Sequence, residues 1–161
     1  MKMTAQKFPM TTDGHEKLVE ELAELKKNER PRLIAAIADA RRHGDLSENA
    51  EYHAAKEKQK HVEGRISEIE TKLASAEVIS LPPASHDTIV FGATVTLEDD
   101  DTEAQRTYRI VGEDEANIEK GMLSVRSPLA RGLVGKSVDD DIEIQTPSGQ
   151  KTYTVLSIAY K

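Results

Sequence analysis

Apolar positions along this chain change their period once, and the change divides it in two. From Asp13 to about Arg42 they fall at Leu18, Leu22, Leu25, Leu33, Ile37 and Ala40, mostly three or four apart, which predicts an amphipathic helix. The register slips around Arg30-Pro31, where proline is expected to kink the helix or shift its seam. From Ser47 to Ala76 a second helical run keeps a heptad register through Ala55, Val62, Ile66, Ile69, Leu73 and Ala76. Each run is about 30 residues long, roughly 45 Å at the helical rise. Only His43 to Leu46 separate them, with Gly44 free to adopt a positive φ, so the two runs are expected to fold back as an antiparallel two-helix coiled coil.

After Val78-Ile79 the pattern turns to alternation. Ser80-Leu-Pro-Pro-Ala-Ser85 reads as a stiff linker. Beyond it strands are expected at Ile89–Leu97, Thr107–Val111, Leu123–Arg126, Ile142–Gln145 and Thr152–Ile158, bounded by acidic or Pro/Gly turn signals. Pro128–Leu133 reads as a short helix packed on the sheet. The expected class is α+β, with a hairpin over 1–79 whose tip lies at 43–52, a linker at 80–85, and an antiparallel-sheet domain over 86–161.

The absence of cysteine excludes disulfides and thiolate metal sites and suits a reducing compartment such as the cytoplasm. No stretch is apolar and long enough to be a membrane span, so no membrane partner is expected. The net charge of −7 is uneven. Residues 1–79 carry 14 Lys/Arg against 15 Asp/Glu, and residues 80–161 carry 8 against 14. The acidic second half is ill suited to binding duplex phosphates. Near the tip, Arg41, Arg42, Lys56, Lys58 and Lys60 form a small basic collar that is equally an ordinary solvated helix face.

In front of that collar stand Asp45 and Glu48. Their spacing fits a capping box, with Asp45 as N-cap and Glu48 at the third helical position, although Ser47 offers a competing cap. The same pair fits Mg²⁺ ligation, because magnesium is often held by one or two carboxylates together with water and substrate phosphates. Two carboxylates make half a site, so the second reading requires a partner that supplies the rest. His53, Glu57 and His61 recur at helical spacing and read as a charged, solvated face more readily than as a zinc site. Tyr52 is suited to stacking on a base or protein surface, or to packing over the turn.

The stretch Gly44-Asp-Leu-Ser-Glu-Asn-Ala-Glu-Tyr52 resembles the tip motif of the bacterial GreA/GreB family of transcript cleavage factors. Ser124-Val-Arg-Ser-Pro-Leu-Ala-Arg-Gly-Leu-Val-Gly-Lys136, followed by Asp139-Asp140, resembles that family's C-terminal signature. Phe91-Gly-Ala-Thr-Val95 and Tyr108-Arg-Ile-Val-Gly112 match its strand segments, and the resemblance spans about residues 8–160. The small collar and acidic balance look more like the GreA branch than the GreB branch.

The resemblance implies a coiled coil that enters the secondary channel of a backtracked RNA polymerase. It implies that Asp45 and Glu48 complete the coordination of a second Mg²⁺, shared with the polymerase active site and not held stably by the chain alone. That metal would activate water for hydrolysis of the RNA. Arg41 and Lys56 would lie along the nascent RNA 3′ end, with Tyr52 nearby. An FKBP-like C-terminal domain would dock at the channel rim through Ser127 and Pro128. The chain would act as a monomer and would not itself be an enzyme. Three rival readings remain: a prolyl isomerase in the C-terminal domain, a channel-occupying regulator that stimulates no cleavage, and a self-associating coiled-coil adaptor.

Overall fold

The computed structural model describes residues 7–44 and 48–161, and the chain parts into two compact units. One contains His15–Ala76, and the other joins Lys7–Gly14 to Glu77–Lys161.

The hairpin consists of α1 (Thr12–Glu24), a π-helical turn (Leu25–Glu29), α2 (Arg30–Arg41) and α3 (Ala50–Ala74). The slip expected at Arg30-Pro31 is this π turn. Proline has no N–H to donate and its ring crowds the preceding turn of an α-helix. Here the turn widens, the Arg30 N–H reaches back to the Leu25 carbonyl, and Pro31 stands in the first turn of α2, where a donor is dispensable. The seam is legible from the heptads: Leu33, Ile37, Ala40, Ala55, Ile66 and Ile69 are buried, and Leu18, Leu22, Leu25, Val62 and Leu73 are half-buried. Ala76, expected in the second helix, lies beyond its end at Ala74 and opens a strand instead. Ties across the seam run antiparallel. Arg30 grips Glu63 through two bonds of 2.7 and 3.0 Å, and Arg65 grips Glu21 through bonds of 2.9 and 2.7 Å.

In the other unit, β3 (Thr94–Asp99), β4 (Gln105–Val111), β5 (Met122–Ser124), β6 (Asp141–Thr146) and β7 (Gly149–Ala159) form one sheet in the order β5-β4-β3-β7-β6. The expected antiparallel sheet is corrected to a mixed one, because β4 and β5 run parallel. The crossover between them, Gly112–Gly121, holds two 3₁₀ turns, long enough to carry the chain back and start β5 in the same direction. The first strand begins at Thr94 rather than Ile89, since Gly92 at φ 91° turns the chain before the ladder starts. Helix α4 (Pro128–Leu133) closes the core, contributing Ala130 and Leu133 to a cluster with Ile89, Val95, Leu97, Ile110, Leu123, Ile142 and Val155.

Two elements escaped the pattern reading. Strand β1 (Phe8–Thr11) pairs with β2 (Ala76–Ile79) in a separate two-stranded sheet. The Glu115 carboxylate accepts from the Thr11 amide (3.1 Å), the Thr11 hydroxyl and the Gly112 amide (3.0 Å), fastening β1 to the crossover.

Candidate functional site

The hairpin tip begins where α2 runs out of hydrogen-bond partners. The amides of Arg42 and His43 turn back to the carbonyls of Asp39 and Ala40, and Gly44 follows at φ 118°. Asp45, the first of the two candidate carboxylates, lies outside the described residues, as do Leu46 and Ser47. Glu48 is exposed in a turn and makes no hydrogen bond or ion pair with any described residue.

The cap of α3 is Asn49. Asn49, at φ −83° and ψ 98°, accepts the Tyr52 amide on its side-chain oxygen at 3.0 Å. The helix therefore starts at Ala50, and Glu48 precedes the cap instead of occupying the third helical position. A capping box thus gives no account of Glu48. Asn49 also reaches across the turn, donating from Nδ2 to the Ala40 carbonyl at 2.7 Å. Sequence reading assigned Asn49 no role, though Asn preceding a helical run is itself a capping signal.

Around this frame the Arg41 guanidinium lies over the Tyr52 ring, 5.8 Å from its centroid, and His53 meets the same ring edge-on at 5.5 Å. Tyr52 is half-buried, with Arg41 and His53 against its ring and part of the ring still accessible. Lys56, Lys58 and Lys60 are exposed, as are His53, Glu57 and His61. Among the described residues no group of three His, Cys, Asp or Glu side chains stands close enough to hold a metal. Glu48 suits Mg²⁺ as a hard oxygen donor with no competing partner among the described residues, but as one carboxylate it supplies only part of a coordination shell.

At the other expected contact, the Ser127 hydroxyl is engaged twice. It accepts from the Ala130 amide at 3.2 Å as the cap of α4 and donates to the Ser124 carbonyl at 2.7 Å. Pro128, at the first position of α4, is exposed. Elsewhere in this unit a cavity of about 420 Å³ is lined by Tyr108 and Tyr153 together with charged Asp99, Arg106 and Lys151. Asp99 is held below the ordinary aspartate range, chiefly by the Asp101 amide, with Lys151 3.5 Å away. Tyr160 is committed to the core, its hydroxyl bonded to the Thr88 carbonyl and the Val90 amide. No described helix is long and apolar enough to cross a membrane.

Residues 8–78 match the family described as transcription elongation factor, N-terminal, and residues 84–160 match transcription elongation factor, GreA/GreB, C-term. The chain is 59% identical over 155 residues to transcription elongation factor GreA of Paracoccus denitrificans, covering 96% of this chain and 99% of that one. It is 55% identical to the GreA of Beijerinckia indica over the same shares of the two chains. Among solved structures it is similar to GreA factor homolog 1 of Thermus thermophilus, with 26% identity, a TM-score of 0.43, and coverage of 95% of this chain and 99% of that one.

Proposed function

The chain belongs to the GreA/GreB family of transcription elongation factors, and from that premise we propose that it rescues backtracked RNA polymerase by lending carboxylates to the polymerase active site. Family members act on RNA polymerase, and the chain is an elongation factor, not itself a hydrolase. In the proposed action the hairpin enters the secondary channel as a monomer, and Glu48 and Asp45 present their oxygens to a second Mg²⁺ shared with the polymerase. When bound, that Mg²⁺ supplies a water of lowered pKa and charge neutralisation at the phosphodiester.

The remaining work belongs to this chain's own side chains. Glu48 is exposed and has no partner among the described residues, so its charge is available for ligation. Arg41 and Lys56 offer cations to the phosphates of the extruded RNA 3′ end, and the accessible part of the Tyr52 ring offers a stacking face. Docking at the channel rim falls to the exposed Pro128, whose orientation the doubly bonded Ser127 fixes.

One observation carries this reading. Glu48 is an exposed carboxylate at the turn of a helical hairpin, and Asn49 has taken over the capping that would otherwise explain it. The test is RNA cleavage in a stalled, backtracked polymerase complex with Mg²⁺, using wild type, Asp45→Asn and Glu48→Gln. Mutating the outer partners of metal ligands costs 10- to 100-fold, so losing a ligand charge should cost about 100-fold or more. Helical circular dichroism and polymerase binding should stay at wild-type levels. Amide variants that cut as well as wild type overturn the proposal. A wild-type chain that binds polymerase without stimulating cleavage makes it a channel-occupying regulator instead.

A further inference from the structure

A helix cap needs only an acceptor. Serine, threonine and aspartate satisfy a free amide about as well as asparagine does. Asn49 uses its oxygen in that way, on the Tyr52 amide, and then uses its Nδ2 on something α3 does not need: the Ala40 carbonyl on the far side of the turn. Nor does α2 need that bond, because the same carbonyl already accepts the His43 amide at 3.1 Å. The second bond ties the start of α3 to the end of α2.

We propose that Asn49 is a positioning residue for Glu48: its Nδ2 bond to Ala40 joins the start of α3 to the end of α2 and fixes where Glu48 presents its carboxylate. The inference rests on the reading of Glu48 as a metal ligand. Glu48 is joined to Asn49 by one peptide bond, so an anchored Asn49 backbone restricts where the Glu48 side chain starts. The Arg41 guanidinium over the Tyr52 ring ties the same two helix ends one residue beyond Ala40 and three beyond Asn49. The buried Ala40 and the nearby buried Ala55 leave the helices room to approach closely there. Two polar ties over a small-residue seam hold the tip where the seam offers too little apolar surface to do so. A preset carboxylate then meets the partner's metal without first losing its freedom, the usual gain from preorganisation.

Asn49→Ser separates the two bonds, since serine keeps the cap but cannot reach Ala40. In the full chain its helical signal and its affinity for polymerase should equal those of wild type. The Mg²⁺ concentration for half-maximal cleavage should rise about 10-fold, and the rate should recover at saturating Mg²⁺. In the free chain, the NMR order parameter of the Glu48 amide should fall below the wild-type value while those from His53 onward stay near the rigid level of about 0.85. Unchanged Mg²⁺ dependence and an unchanged Glu48 order parameter would reduce Asn49 to a cap and overturn the inference. Glu48→Gln, run alongside, tells two failures apart. If Glu48→Gln is inactive and Asn49→Ser behaves as wild type, only the positioning role falls. If Glu48→Gln cuts normally, the ligand reading falls and the positioning role goes with it.

Discussion

In the sheet unit, Ile89, Val95, Leu97, Ile110, Leu133 and Val155 enclose one another from several directions and are essentially inaccessible to water. In the hairpin, the buried apolar groups form a single line from Leu33 to Ala40 facing Ala55 to Ile69. Ion pairs flank that line: Arg30 with Glu63, Arg65 with Glu21, and Lys26 with Glu70. A closed core gains stability from volume, whereas a seam gains it from length and register. The candidate carboxylate, Glu48, belongs to the unit with less burial, at the end where the seam narrows to alanine. Reach therefore comes at the expense of packing, and polar ties at the tip offset the loss.

The largest effect that would sharpen this contrast is a cavity. Leu133→Ala should cost about 4 kcal/mol, because α4 and the sheet cannot collapse around the missing atoms, and Leu33→Ala about 2 kcal/mol, because a solvated seam can relax. Tyr108, Tyr153 and Tyr160 lie in the sheet unit and Tyr52 in the hairpin, so near-ultraviolet circular dichroism mainly follows the first unit. The 222 nm signal follows the helices. Equal losses from the two substitutions would show that the seam is packed as tightly as the core, and the comparison would fail.

Tyr160→Phe tests the polar side of the closed core and should cost about 1–2 kcal/mol, since it strands the Val90 amide and the Thr88 carbonyl near the interior. Burial raises the Tyr160 hydroxyl above the ordinary tyrosine range. The fold thus favours the neutral phenol. Its contribution is complete below the ordinary tyrosine pKa and is lost as pH rises through the higher folded value. Wild type should accordingly lose stability in strong alkali more steeply than Tyr160→Phe does. Parallel alkaline profiles would mean that the hydroxyl is not desolvated as its burial implies.

What the sequence made legible follows the same division. Helical periodicity gave the seam from Leu18 to Leu73, because a one-dimensional interface is written in a one-dimensional repeat, but it carried the second helix on to Ala76, which opens β2. It also gave the slip at Pro31, though not that a π turn absorbs it. In the sheet unit the strands were readable, but the parallel β4–β5 pair was not, since alternation marks a strand without saying which way its neighbour runs. Strand β1 was missed because Phe8-Pro-Met-Thr is too short to display a period. Glu48 stood out through its chemistry, whereas Asn49 did not, because its second bond depends on Ala40 being close in space and nothing in the spacing signals that.

The smallest expected effect bears directly on whether ion pairs hold the hairpin in register. Arg65 binds Glu21 through two nitrogens, and that hydrogen bonding is the main reason its guanidinium is raised above the ordinary arginine value. Both side chains remain more than a third exposed, so water and salt screen the attraction. A double-mutant cycle with Arg65→Met and Glu21→Gln should give a coupling of about 0.5 kcal/mol at low salt that fades toward zero near molar salt. Methionine keeps an apolar stem on the seam, so the cycle isolates charge from packing. Acid offers an independent check on the neighbouring pairs. Glu63 is held below the ordinary glutamate range by its bonds to Arg30, and Glu68 by its bonds to Lys72 and then Arg65. Their contribution is present above the ordinary glutamate pKa and lost as pH falls through the lowered values, so Glu63→Gln should flatten the acid limb of the helical signal slightly. A coupling well above 1 kcal/mol, or one insensitive to salt, would mean that charge rather than the apolar line sets the hairpin's stability. A coupling of zero would remove the Arg65–Glu21 pair from the forces that set the hairpin's register.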